Sequence, residues 1–79
     1  NDMQLDNEIR VVPNPSSDFI NIILPKSSKI EKIQVFDISG RLINTSYSDY
    51  IDISSYSNGI YIINLESEGK KFQTKFVKE

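Results

Sequence analysis

Proline and glycine punctuation constrains this chain more than any other feature. Pro13-Asn14-Pro15, Pro25, Ser39-Gly40, Asn58-Gly59 and Ser67-Glu68-Gly69-Lys70 cut it into short runs. Each proline fixes φ and lacks an N–H, so no central strand passes through residues 13–15. Asn14 precedes a proline and is held in an extended conformation. The glycines accept positive φ at little steric cost and suit tight turns. The runs between these turns draw their apolar residues from Ile, Val, Leu, Phe and Tyr, which favour strands. There is no Ala or Trp, and no segment repeats at the period of a helix.

Period-two alternation then assigns faces. Residues 9–12 form a short first run. In residues 18–24, Ile20, Ile22 and Leu24 share a face and Asn21 lies opposite. In 30–37, Ile33 and Val35 face a core, with Lys32 and Gln34 outside. Residues 41–45 return as a hairpin partner after Gly40, and 50–53 make a brief strand. Asn58-Gly59 launches 60–66 with Tyr61, Ile63 and Leu65 inward. Residues 71–78 place Phe72, Thr74 and Phe76 inward and Lys71, Gln73 and Lys75 outward. About seven short strands at this spacing predict an all-β fold, an immunoglobulin-like antiparallel β-sandwich.

At 79 residues the chain holds one domain near the lower size limit, burying only roughly 60% of its unfolded surface. It has no cysteine to staple a small fold and no histidine, the usual general base and commonest zinc ligand. No apolar run has membrane length. Residues 1–8 carry Asp2, Asp6 and Glu8 with no base, and residues 1–10 are expected to be a linker. Residues 70–79 carry four lysines against Glu79. The basic end is narrow, whereas nucleic acid asks for a basic face across the domain, so no nucleic-acid partner is expected. No membrane insertion and no cofactor are expected either.

The residues offer little chemistry. Asp49 and Asp52 are the nearest approach to a carboxylate pair, but short antiparallel strands are expected to leave no cleft of the ~300 Å³ a ligand site needs. Asp18, Asp37, Asp49 and Asp52 lack the spacing of a calcium loop. Asp37 is expected to accept backbone N–H bonds in the turn leading to Gly40. Ser39 has no histidine and no nucleophile-elbow context. Tyr47, Tyr50, Tyr56 and Tyr61 are read as half-buried packing residues rather than a stacking platform. Asn44-Thr45-Ser46 matches a glycosylation acceptor pattern by coincidence. The module is not expected to be an enzyme.

In order along the chain, four blocks resemble a known family. They are Val12-Pro13-Asn14-Pro15 with Asp18-Phe19-Ile20-Asn21-Ile22, then Val35-Phe36-Asp37-Ile38-Ser39-Gly40-Arg41-Leu42. Ile51-Asp52-Ile53-Ser54 with Asn58-Gly59-Ile60-Tyr61-Ile62-Ile63 follows, and Thr74-Lys75-Phe76-Val77-Lys78 closes the set. Together these blocks resemble the type A C-terminal sorting domain of the type IX secretion system of Bacteroidetes. The likeness covers residues 11–78, and Tyr56 departs from it, standing where the family more often has an aliphatic residue.

The resemblance implies a sorting domain over 11–79, preceded by a cleavage region within 1–10. It implies a folded cargo that waits in the periplasm, an outer-membrane translocon that recognises the domain, and a sortase-like peptidase that removes it. The cargo is then released or anchored at the cell surface. Carried over position by position, the recognition motif falls on Pro13, Asn14, Pro15, Asp37, Gly40, Arg41, Gly59, Tyr61, Lys75 and Lys78. Lys75 and Lys78 are expected to be exposed and to touch a receptor that reads the last strand by edge pairing or by acidic complementarity, so that changing both to Glu weakens binding while the thermal midpoint stays put. An exposed edge strand leaves a homodimer of the isolated domain open. The alternatives are a carbohydrate-binding β-sandwich appended to a secreted enzyme and a fibronectin-like spacer or adhesin module.

Overall fold

The computed structural model describes residues 9–24 and 29–79. The acidic segment 1–8, most of the expected linker and cleavage region, lies outside the described residues. Seven strands follow in order: β1 (Arg10–Val12), β2 (Phe19–Ile23), β3 (Lys32–Asp37), β4 (Leu42–Ser46), β5 (Tyr50–Asp52), β6 (Gly59–Ser67) and β7 (Lys70–Lys78). There is no helix among the described residues. The strands form a three-stranded sheet, β1-β2-β5, and a four-stranded sheet, β4-β3-β6-β7, with every strand pairing antiparallel. This is the expected small immunoglobulin-like β-sandwich.

The alternation of apolar residues builds the core as read from the sequence. Ile33 pairs with Leu65 and Leu65 with Phe72 across β3, β6 and β7, while Tyr61 stands between Asp37 and Phe76. From the opposing sheet Ile20 and Ile22 on β2 and Ile51 on β5 close the layer. Phe76, Ile20, Ile33, Ile53, Ile63, Leu65 and Val35 are fully buried. A Phe76→Ala change would remove the largest of these side chains, at a typical cost of about 3–5 kcal/mol.

Two hairpins set the geometry of the ends. Between β3 and β4 a bulge at Val35/Phe36 shifts the register, so Val35 pairs with Asn44 and Phe36 with Leu42. Between β6 and β7 the turn residues Glu68 and Gly69 have φ of 53° and 78°, the double positive φ of a type I′ turn that suits the twist of paired strands. At the start of the domain the Val12–Pro13 and Asn14–Pro15 peptide bonds are both cis.

Candidate functional site

The ten motif positions separate into two clusters, with Lys75 outside both. The first is the β3–β4 hairpin. Asp37 Oδ1 accepts hydrogen bonds from the Ser39 amide (3.0 Å), the Ser39 hydroxyl (2.6 Å) and the Arg41 amide (3.0 Å). Its Oδ2 faces Arg41 Nε at 3.2 Å. The backbone closes the same turn, with the Gly40 amide donating to the Asp37 carbonyl at 2.9 Å. Gly40 sits at φ +92° with open space around it, so its conformation and not crowding selects glycine. The Ser39 hydroxyl, then the Arg41 amide and charge, hold the Asp37 carboxyl below its ordinary value. Asp37 is a turn brace, as its sequence context indicated.

The second cluster joins distant parts of the chain around the end of β7. Asn14 Oδ1 accepts the Val77 amide at 3.0 Å, bridging 63 positions of sequence. The Ser16 amide donates to the Val77 carbonyl at 2.9 Å, and the Glu79 amide donates to the Ser16 carbonyl at 2.7 Å. The Ser16 hydroxyl donates to the Pro13 carbonyl, which ties the proline segment to itself. A short parallel bridge, Ser16 to Lys78, results. The proline motif is therefore a clamp on the terminal strand as well as a strand stop.

Lys78 corrects the sequence reading. It is only 7% exposed, its stem turned to the core side of the sheet opposite Gly59. Its Nζ donates to the Tyr56 carbonyl at 3.1 Å. Parity would have found this, because Phe72, Phe76 and Lys78 are separated by even numbers and point the same way. The expectation of an unchanged thermal midpoint after mutating Lys78 falls with its exposure. Lys75 is exposed on the outer face, as expected.

Tyr61 and Gly59 belong to the same end of the sandwich. The Tyr61 ring packs between Tyr56 (centroids 5.1 Å apart) and Phe76 (5.4 Å). Its hydroxyl donates to the Ser57 carbonyl at 2.6 Å, fixing the loop that precedes β6. Gly59 starts that strand at φ +150°, a conformation that side chains strain to adopt. Tyr56, the departure from the family pattern, fills the loop. Its hydroxyl is buried without a hydrogen-bond partner among the described residues. Burial raises the phenol above its ordinary value, and the neighbouring Asn44 side chain, outside bonding geometry, only partly opposes this.

Contrary to expectation, an open groove of about 650 Å³ lies between the two clusters, with Asp37, Arg41, Asn44, Asp52, Tyr56 and Tyr61 on its wall. It does not bring together the carboxylates of Asp49 and Asp52. Asp52 braces its own turn, its Oδ1 accepting the Ser54 amide (2.9 Å) and hydroxyl (2.7 Å), which lowers its carboxyl from the ordinary value. Asp49 does not line this groove. No group of His, Cys, Asp and Glu suited to a metal is found among the described residues. Of the tyrosines, Tyr56 and Tyr61 pack as read, but Tyr47 and Tyr50 are 71% and 52% exposed. Tyr50 stacks on Phe19 at 5.4 Å, and no row of aromatics extends from that pair along β5.

These features define a small β-sandwich whose motif residues brace turns and clamp its last strand. The family model of the secretion system C-terminal sorting domain matches residues 10–79. The chain belongs to that family, the C-terminal sorting domains of type IX secretion, which is not an enzyme family. No curated relative matches the chain. Membership makes the domain a signal for export toward the cell surface or extracellular space, and implies contact with the secretion machinery.

Proposed function

We propose that this domain delivers a folded cargo from the periplasm to the outer-membrane translocon of the type IX system and is then cut away by a sortase-like peptidase. The observation that carries the reading is the family match, which spans residues 10–79 and so includes all seven strands. Cleavage falls within residues 1–10, ahead of the clamped sandwich, and the cargo leaves or is anchored at the surface. Within the domain the motif residues divide their work. Asp37, Gly40 and Arg41 hold one hairpin, while Pro13, Asn14, Pro15, Gly59, Tyr61 and Lys78 hold the proline segment and the end of β7 in one shape. Lys75 is the motif residue left to touch the receptor, by charge complementarity.

The test is a fluorescent protein placed before residues 1–79 and behind an inner-membrane export signal, in a host with a working type IX system. Fluorescence outside the cell, lost in a translocon deletion strain, supports the reading. Mass spectrometry of the exported product should find a new C-terminus at or before position 10. Retention in the periplasm of both strains would overturn it.

A further inference from the structure

The four-stranded sheet buries one face in the core, and its outer face is divided in two. One half obeys the polar alternation of an antiparallel sheet with a wet side. There Lys32, Glu66 and Lys71 form one cross-strand row and Gln34, Asn64 and Gln73 the next. Gln73 Nε2 donates to Asn64 Oδ1 at 2.9 Å, so this half satisfies itself. In the other half the alternation fails. Leu42, Phe36, Ile62 and Lys75 stand in one row, and Ile60 pairs with Val77 beyond it. Leu42 is 48% exposed and Ile60 42%, with Phe36, Ile62 and Val77 half-buried around them.

Strand β6 states the anomaly most plainly. Its run Ile60-Tyr61-Ile62-Ile63 is continuously apolar, the pattern of a strand covered on both faces. Only Tyr61 and Ile63 are buried by this domain. An apolar patch rimmed by polar residues marks a surface that meets a partner. Two depressions, of about 210 and 260 Å³, adjoin at Ile62 and Gln73.

The border fixes the chemistry of the occupant. Lys75 lies exposed in the Phe36–Ile62 row on the edge strand β7, whereas Lys71 belongs to the polar half opposite Glu66. Lys75 forms no ion pair among the described residues, where Glu66 pairs with Lys32 at 4.0 Å and Asp37 with Arg41. A second copy of the chain would bring the same basic border, whereas a partner with carboxylates would complement it. The outer face of the three-stranded sheet is a weaker candidate. Its largest apolar groups, Phe19 and Tyr50, stack on each other, and Asp52 rather than a lysine pairs with Phe19.

We propose that the outer face of the β4-β3-β6-β7 sheet, centred on Phe36 and Ile62 and bordered by Lys75, docks the domain onto an apolar, carboxylate-rimmed protein surface of the secretion machinery. This rests on the sorting function and names the face that is read. The rigid clamp on β7 serves it by fixing Val77 and Lys75 relative to Ile62.

The exported fraction of the fluorescent fusion tests the face through Ile62→Glu and Lys75→Glu, with Ile23→Glu as the matched change on the other sheet's outer face. Ile62→Glu and Lys75→Glu are expected to cut export at least tenfold, with Ile23→Glu within twofold of wild type. Thermal midpoints of the purified domains verify folding, and Lys75→Glu, a fully surface change, keeps the test open if Ile62→Glu unfolds. Wild-type export with equal export of Lys75→Glu and a folded Ile62→Glu would overturn the docking face alone. Failure of wild type itself to be exported would overturn the sorting reading and this one with it. A concentration-dependent wild-type dimer that Ile62→Glu dissolves would place a second copy on the face and overturn the assignment to the machinery.

Discussion

Lys78 offers the sharpest test of how this domain is held together. Its side chain is 7% exposed and its Nζ donates one hydrogen bond, 3.1 Å long, to the Tyr56 carbonyl. A hydrogen bond from a charged group contributes about 1.5–3 kcal/mol, part of which is offset here by the desolvation of the charge. Lys78→Met keeps the stem packed and removes the bond, so the net loss is about 1–2 kcal/mol. Lys78→Glu sets a carboxylate against a carbonyl oxygen in the same buried place, at about 3–5 kcal/mol. A domain of this length has a total stability of roughly 4–12 kcal/mol, so the Glu variant loses a large share of it. One kcal/mol moves the thermal midpoint of so small a domain by about 4–8 °C. Lys78→Met should therefore melt about 4–16 °C below wild type in a circular dichroism scan, and Lys78→Glu far lower or not cooperatively at all. Lys75→Glu, on the outer face, should stay within about 0.5 kcal/mol of wild type. A Lys78→Met midpoint within 2 °C of wild type would refute the buried-clamp account.

Other outcomes follow from the same structure. Asn14→Ala removes the acceptor for the Val77 amide, costing about 0.5–1.5 kcal/mol; hydrogen exchange at Val77 should quicken, and unchanged protection there would count against the clamp. Tyr56→Phe deletes a buried hydroxyl that has no partner among the described residues, so stability should hold or rise, by up to about 1 kcal/mol in urea titration; a loss above that would reveal a partner for the hydroxyl. Glu68→Asn relieves a side chain held at φ 53° and should stabilise the β6–β7 hairpin by about 0.5–1 kcal/mol, read as a higher denaturant midpoint at constant slope. The carboxyls of Asp37 and Asp52 are held below their ordinary value. Their contribution is full above the unfolded value of about 3.9 and is lost as pH falls through the lower folded values. The midpoint should therefore drop as pH is lowered from about 5 through 4 and below, and less steeply in Asp37→Asn; parallel curves would show that the hairpin brace has no role in acid stability.

The sequence by itself determined everything in this protein that is local. Period-two alternation chose the strands and the core residues Ile20, Ile22, Ile33, Val35, Ile63, Leu65, Phe72 and Phe76, because a pleated strand shows its two faces in its own residue order. The Asp37 brace was legible for the same reason: donor and acceptor lie within four positions of one another. What only the tertiary structure decided is contact between segments remote in sequence. No local pattern places Asn14 on Val77 or the Lys78 ammonium on the Tyr56 carbonyl, since those pairings arise when the two sheets close and bring the proline segment alongside β7. The groove between the hairpin and the β5–β6 loop has the same origin. So does the half-apolar outer sheet face: β6 writes an apolar residue on both sides of the strand, but only the closed sandwich decides which side stays uncovered.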